Sequence, residues 1–126
     1  MLTELDIKAS NTYDGTAATL QSEYEKQAYR YKDLYQTLKK LNDEGSVKVG
    51  GMVVWGVIDC NSWLQAYTGV GGGVTDGRPQ CPLLFDDNYH VKPAFWAIVD
   101  SSKLAPKVQT ITFNQSDDDS FDNAVK

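Results

Sequence analysis

Polar and apolar residues alternate at the start of the chain. In Leu2-Thr3-Glu4-Leu5-Asp6-Ile7 a period of two puts Glu4 and Asp6 on one face and Leu5 and Ile7 on the other, which predicts a short strand. A polar stretch from Ser10 to Gly15 follows as a loop. Leu20, Tyr24, Ala28, Tyr31, Leu34, Leu38 and Leu41 then recur at spacings of three and four, the pattern of a long amphipathic helix. Thr16 or Thr19 could cap its start, Glu23 and Glu25 come early, Lys39 and Lys40 come late, and Gly45 is its expected stop. The run Val47 to Ile58 is too short and too β-branched for a second long helix and predicts a buried strand. Asn61 to Pro82 is irregular and glycine-rich, with Gly71-Gly72-Gly73 at its centre. Pro93 opens a short apolar helix through Val99.

Strand, helix, strand, helix is the grammar of a parallel sheet flanked by helices, an α/β class. Two such units leave one sheet face and both edges bare, whereas parallel sheets are ordinarily covered on both faces. The chain is therefore expected to be part of a larger unit. From Leu104 onward the character changes: Val108 to Phe113 could form one more strand, and Asp117-Asp118-Asp119 with Ser120 and Asp122 has the composition of a solvated linker. The expected division is residues 1–103 as the folded segment and 104–126 as a tail toward a following module.

Composition narrows the partners. The 126 residues carry a net charge of -5 with a pI near 4.7, so no basic surface draws in nucleic acid or an anionic membrane, and a neutral ligand fits better. No stretch approaches the ~20 apolar residues of a membrane span. Cys60 and Cys81 match no zinc or redox spacing but bracket the glycine-rich stretch, making them a candidate disulfide worth on the order of 3 kcal/mol by chain entropy. His90, the only histidine, has no partner at a metal-ligand spacing. The Gly71-Gly72-Gly73 run does not pass from a strand into a helix as a phosphate loop does, and the acidic run near Asp118 lacks calcium-loop spacing.

Four segments join into a specific pattern: Leu2-Thr3-Glu4-Leu5-Asp6-Ile7; Trp55-Gly56-Val57-Ile58-Asp59 with Ser62-Trp63; Pro82-Leu83-Leu84-Phe85-Asp86; and Lys92-Pro93-Ala94-Phe95-Trp96-Ala97-Ile98. In this order the chain, over roughly residues 1–102, resembles the last two βα units of the family 10 glycoside hydrolases, whose typical member is an endo-1,4-β-xylanase. The resemblance implies a TIM (β/α)8 barrel in which the strand at Leu2 is the seventh and that near Trp55 the eighth. It further implies that Glu4 is the catalytic nucleophile and that Trp55 and Trp63 line the sugar cleft. The enzyme is expected to be secreted, to act on xylan or xylo-oligosaccharides, and to need no cofactor. The family's acid/base glutamate lies in an Asn-Glu motif on the fourth strand, which this sequence does not contain. Where the family often has arginine after the second tryptophan, this chain has Leu64 and an insertion to about Cys81; Arg78 is a candidate replacement.

The chemistry makes the same demand on independent grounds. A retaining glycosidase needs two carboxyl groups about 5 to 5.5 Å apart on opposite sides of the glycosidic bond. Asp6 lies two residues, roughly 6.6 Å, along the same strand as Glu4, and one rigid strand cannot flank both sides of that bond. Tryptophan suits the sugar because a pyranose presents an apolar C–H face to a ring and the indole can also donate a hydrogen bond. Trp96 beside Phe95 reads as core, and Tyr24, Tyr31 and Tyr35 read as the core edge of the long helix. Two alternatives stand beside the enzyme. One is a catalytically incompetent sugar-binding or assembly fragment. The other is a chain that orders itself only with the missing N-terminal barrel segment or by self-association.

Overall fold

The computed structural model describes residues 1–66 and 77–107. Strand β1 (Leu2–Leu5) runs into a loop, the long helix α1 (Ala17–Asp43), strand β2 (Met52–Val54), a 3-10 turn (Asp59–Asn61), the short helix α2 (Trp63–Ala66), helix α3 (Pro93–Val99) and a closing 3-10 turn (Ser101–Lys103). β1 and β2 pair in parallel, with α1 as the crossover between them. The expected α/β grammar is present. Gly71-Gly72-Gly73, the candidate strand Val108 to Phe113 and the acidic stretch near Asp118 lie outside the described residues.

α1 begins and ends where its sequence signals place it. Thr16 occupies the N-cap position, but its hydroxyl caps nothing; Asp14 instead accepts from the Thr16 N–H at 2.9 Å, the Thr16 hydroxyl at 2.8 Å and the Thr19 hydroxyl. At the other end Gly45 takes φ 74, its N–H reaches the Asn42 carbonyl, and the Ser46 N–H reaches that of Leu41. This pair of bonds satisfies the last carbonyls and needs a left-handed residue, which glycine supplies without strain. Glu23 is no helix-dipole residue, since the first turn carries no acidic side chain and Glu23 is buried.

The core lies between α1 and α3. Ala28, Tyr31, Ala94 and Ala97 are buried together, with Leu5, Ile7, Leu84, Ile98 and Leu104 packed around them. Three alanines at the crossing let the helices approach closely, and the Tyr31 hydroxyl leaves the apolar cluster by donating to the Pro82 carbonyl at 2.6 Å. Pro93 stands at the start of α3, where a missing N–H costs nothing. Trp96 is half-buried rather than core, with the Lys103 ammonium 3.8 Å over its ring. Tyr24 and Tyr35 are half-buried along the same helix, as a core edge should be.

The expected buried strand over Val47 to Ile58 is corrected in both length and burial. Only Met52–Val54 is strand, and Val47, Val53 and Val57 are exposed. Leu5 packs against the core between α1 and α3, and a sheet of two strands covered on one face leaves the other open, as exposed Val53 shows. Beyond Trp55 the chain leaves the ladder, and Ile58 makes an isolated parallel bridge with Phe85, which in turn bridges Val91.

Candidate active site

The site forms around the end of β1. Between Leu2 and Leu5 three steps along β1 face the two steps from Met52 to Val54, so β1 holds an extra residue. Glu4 sits in this irregularity with φ 59, a left-handed conformation that a side chain such as glutamate seldom adopts. A bulge of this kind re-aims a side chain, and here the Glu4 carboxylate is exposed. Strict alternation predicts Glu4 and Asp6 on one face, but the bulge breaks that register between them.

Both expected tryptophans are tied to the residues that follow Glu4. The Trp55 N–H donates to the Leu5 carbonyl at 2.8 Å, extending the pairing by one bond past β2. The Trp63 indole Nε1–H donates to the Asp6 carboxylate at 2.6 Å across 57 residues of sequence. Trp55 is 47% exposed and Trp63 36%, so each keeps ring surface for a ligand. Gly56 makes the turn between them: it takes φ 135, and Leu83 packs so close that an added Cβ would lie 2.8 Å from its Cδ1.

Beneath this surface lies a buried knot that joins two of the pattern's segments. The Lys92 ammonium spends all three donors, on Asp59 Oδ2 at 2.8 Å, the Cys81 carbonyl at 2.6 Å and the Leu83 carbonyl at 2.8 Å, and stands 4.6 Å from the Tyr24 ring centre. The second Asp59 oxygen accepts from the Leu83 N–H at 2.8 Å. Burial pushes the Asp59 carboxyl up and the Lys92 ammonium down, and the contact between them opposes both shifts. The knot fastens the Trp55–Trp63 segment to the chain entering α3. Asp59 and Lys92 both stand in segments of the family pattern, but neither residue type reveals its partner 33 positions away.

A second anchor holds the loop that leaves β1. Buried Glu23 accepts from the Ser10 backbone and from its hydroxyl at 2.7 Å, and pairs with Arg30 at 3.1 Å. Arg78 Nη1 donates to the Ser10 carbonyl at 3.1 Å and to that of Tyr13, so the candidate replacement for the family arginine sits on the loop after β1. The expected disulfide is corrected: Cys60 and Cys81 are both free thiols. Cys60 is exposed beside Asn61 and Asp87, whereas Cys81 lies against Tyr24, where burial pushes its thiol up to about 11. His90 is an exposed partner of Asp86 at 3.3 Å. Among the described residues, no three His, Cys, Asp or Glu side chains gather as a metal would need, and no helix is long and apolar enough to cross a membrane.

Comparison with known proteins gives consistent matches. The sequence profile of glycosyl hydrolase family 10 matches residues 1–101. A thermostable celloxylanase of Thermoclostridium stercorarium is 45% identical over 78 residues, covering 62% of this chain and 17% of the relative. Endo-1,4-beta-xylanase C of Paenibacillus barcinonensis is 36% identical over 105 residues, covering 82% of this chain and 9% of the relative. Among solved structures, a family 10 enzyme from Paenibacillus barcinonensis superposes with a TM-score of 0.62 at 32% identity, over 84% of this chain and 28% of that one. A thermostable mutant of a xylanase from Cellvibrio japonicus gives 0.58 at 31% identity, over 79% and 29%. The chain thus spans under a fifth of these two curated relatives and under a third of these two solved chains.

Proposed function

The chain belongs to glycosyl hydrolase family 10, a TIM-barrel family of glycosidases, and from that premise we propose that it is the nucleophile-bearing part of an endo-1,4-β-xylanase, its seventh and eighth βα units. The observation that carries this reading is the bulge at Glu4, which exposes one carboxylate at the end of a parallel strand, the position where (β/α)8 enzymes place catalytic groups. In the first step the Glu4 carboxylate attacks the anomeric carbon of a xylosyl unit. The bond to the leaving oxygen breaks, and that oxygen takes a proton from the second carboxyl group. In the second step water, deprotonated by that same group, releases the sugar from Glu4 with retained configuration. Trp55 and Trp63 offer ring faces to the sugar. The scheme calls for no cofactor, and a polymeric substrate suits a secreted enzyme.

Asp6 does not serve as the second carboxyl group, because it follows Glu4 on the same segment and is engaged with Trp63. In this reading an upstream barrel segment supplies the acid/base, and the chain alone binds xylan without appreciable turnover. The test combines the chain with the first six βα units of a family 10 xylanase and adds a 2-fluoro xylobioside carrying a good leaving group. A glycosyl adduct on the peptide containing Glu4, absent in Glu4→Gln, is the expected result. A label on any other carboxylate rejects the assignment, and brisk turnover by the chain alone rejects the division of labour.

A further inference from the structure

Resting on the sugar-binding reading above, we propose that Asp6 is a positioning residue for Trp63: its carboxylate takes the only hydrogen bond the indole can donate, so Trp63 meets a neutral pyranose with its ring face alone. Tryptophan has one donor and no acceptor. That donor is engaged at 2.6 Å by an oxygen of Asp6. Hydrogen bonds to an ionised acceptor are shorter and roughly twice as strong as neutral ones, so the sugar gains little by competing for this one. Stacking then needs only the apolar C–H face of the ring, and the hydroxyl pattern is left for other groups to read.

The backbone around Trp63 is already fixed, which leaves its side chain as the part to be settled. Ser62 is buried and its hydroxyl accepts from the Leu64 N–H at 3.2 Å, Leu64 is itself buried, and Asp59 three residues before Ser62 belongs to the buried knot. These contacts hold the backbone and not the ring. The bond to Asp6 is made by the indole itself, and because Asp6 lies two residues beyond Glu4 it ties the ring to the segment that carries Glu4. Trp55 meets this segment through its backbone, in the bond from its N–H to the Leu5 carbonyl. Its indole signal therefore serves as an internal control.

The experiment uses the whole 126-residue chain labelled with 15N, whose three tryptophans give three indole N–H signals. Trp63→Phe and Trp55→Phe assign two of them. The Trp63 signal is expected downfield and slow to exchange with solvent. Asp6→Ala should move it upfield and speed its exchange while leaving the Trp55 signal in place. Asp6→Asn, which keeps an acceptor of the same shape, should restore most of the protection. A Trp63 signal that ignores Asp6→Ala overturns the proposal. Titration with xylohexaose then separates the two readings. Loss of about tenfold in affinity for Asp6→Ala, recovered in Asp6→Asn, supports the role in binding, and equal affinity in all three forms overturns it. Xylohexaose that perturbs no wild-type signal overturns the sugar-binding reading and with it the role of Asp6, while the indole response still reports the contact itself.

Discussion

At the scale of single residues, the site is built against local preference. A non-glycine residue in the left-handed region costs roughly 1–2 kcal/mol, and such strain gathers where function holds it in place. Glu4 has φ 59 and is exposed, so its side chain gains no packing in return. We expect Glu4→Gly to be at least as stable as the parent chain, and Glu4→Val to fall about 1–2 kcal/mol below Glu4→Gly, as read from urea midpoints. Equal midpoints for the two would mean that the bulge is absent in solution. Gly56 presents the opposite case, a position where the backbone needs glycine and the space admits nothing else. With φ 135, and with Leu83 Cδ1 only 2.8 Å from where a Cβ would stand, Gly56→Ala should cost about 1–3 kcal/mol. It should also broaden the indole signals of both Trp55 and Trp63, since the turn between them would shift.

At the scale of elements, α1 and the start of α3 are legible in the sequence because their signals are local: apolar spacing, Gly45 beyond the last turn, Pro93 at the first. The length of β2 is not, because a strand ends where its partner ends, and β1 supplies only Leu2–Leu5. Glu4, Trp55 and Trp63 are singled out as candidates by motif order. The bulge, the Asp6–Trp63 bond and the Asp59–Lys92 knot are not, since each depends on pairs far apart in sequence. Local carboxylates also support the element ends. Asp14 at the start of α1, Asp86 in the turn before α3 and Asp100 after it accept bonds from nearby N–H or O–H groups, which hold all three below the ordinary carboxylate range. Their folded pKa values lie below the unfolded ones, so their stabilisation is complete above the unfolded value of about 3.9 and is lost as pH falls through the folded values. Stability should therefore decline below about pH 4. A chain with all three changed to asparagine should show a shallower decline over the same window, followed by urea unfolding at successive pH values. An unchanged slope would mean that these bonds do not persist in solution.

At the scale of the whole molecule, the two strands among the described residues cannot by themselves close a barrel, and Val53 of β2 and Trp55 just beyond it are exposed. The family 10 match spans residues 1–101, and the chain covers under a third of the two solved family 10 chains it superposes on. The substrate proposed for the parent enzyme is uncharged, so the net charge of -5 adds little long-range attraction and association with xylan should change little with salt. Activity, by contrast, should depend on completion of the site. Mixed with an upstream six-unit segment that is inactive by itself, the chain is expected to yield xylan hydrolysis that rises with the concentration of either piece and saturates. Glu4→Gln should abolish that activity without weakening association between the pieces, because the exposed carboxylate contributes chemistry rather than packing. Association without activity for the parent chain, measured by reducing-sugar release beside analytical ultracentrifugation, would show that a completed barrel is not enough to make Glu4 a nucleophile.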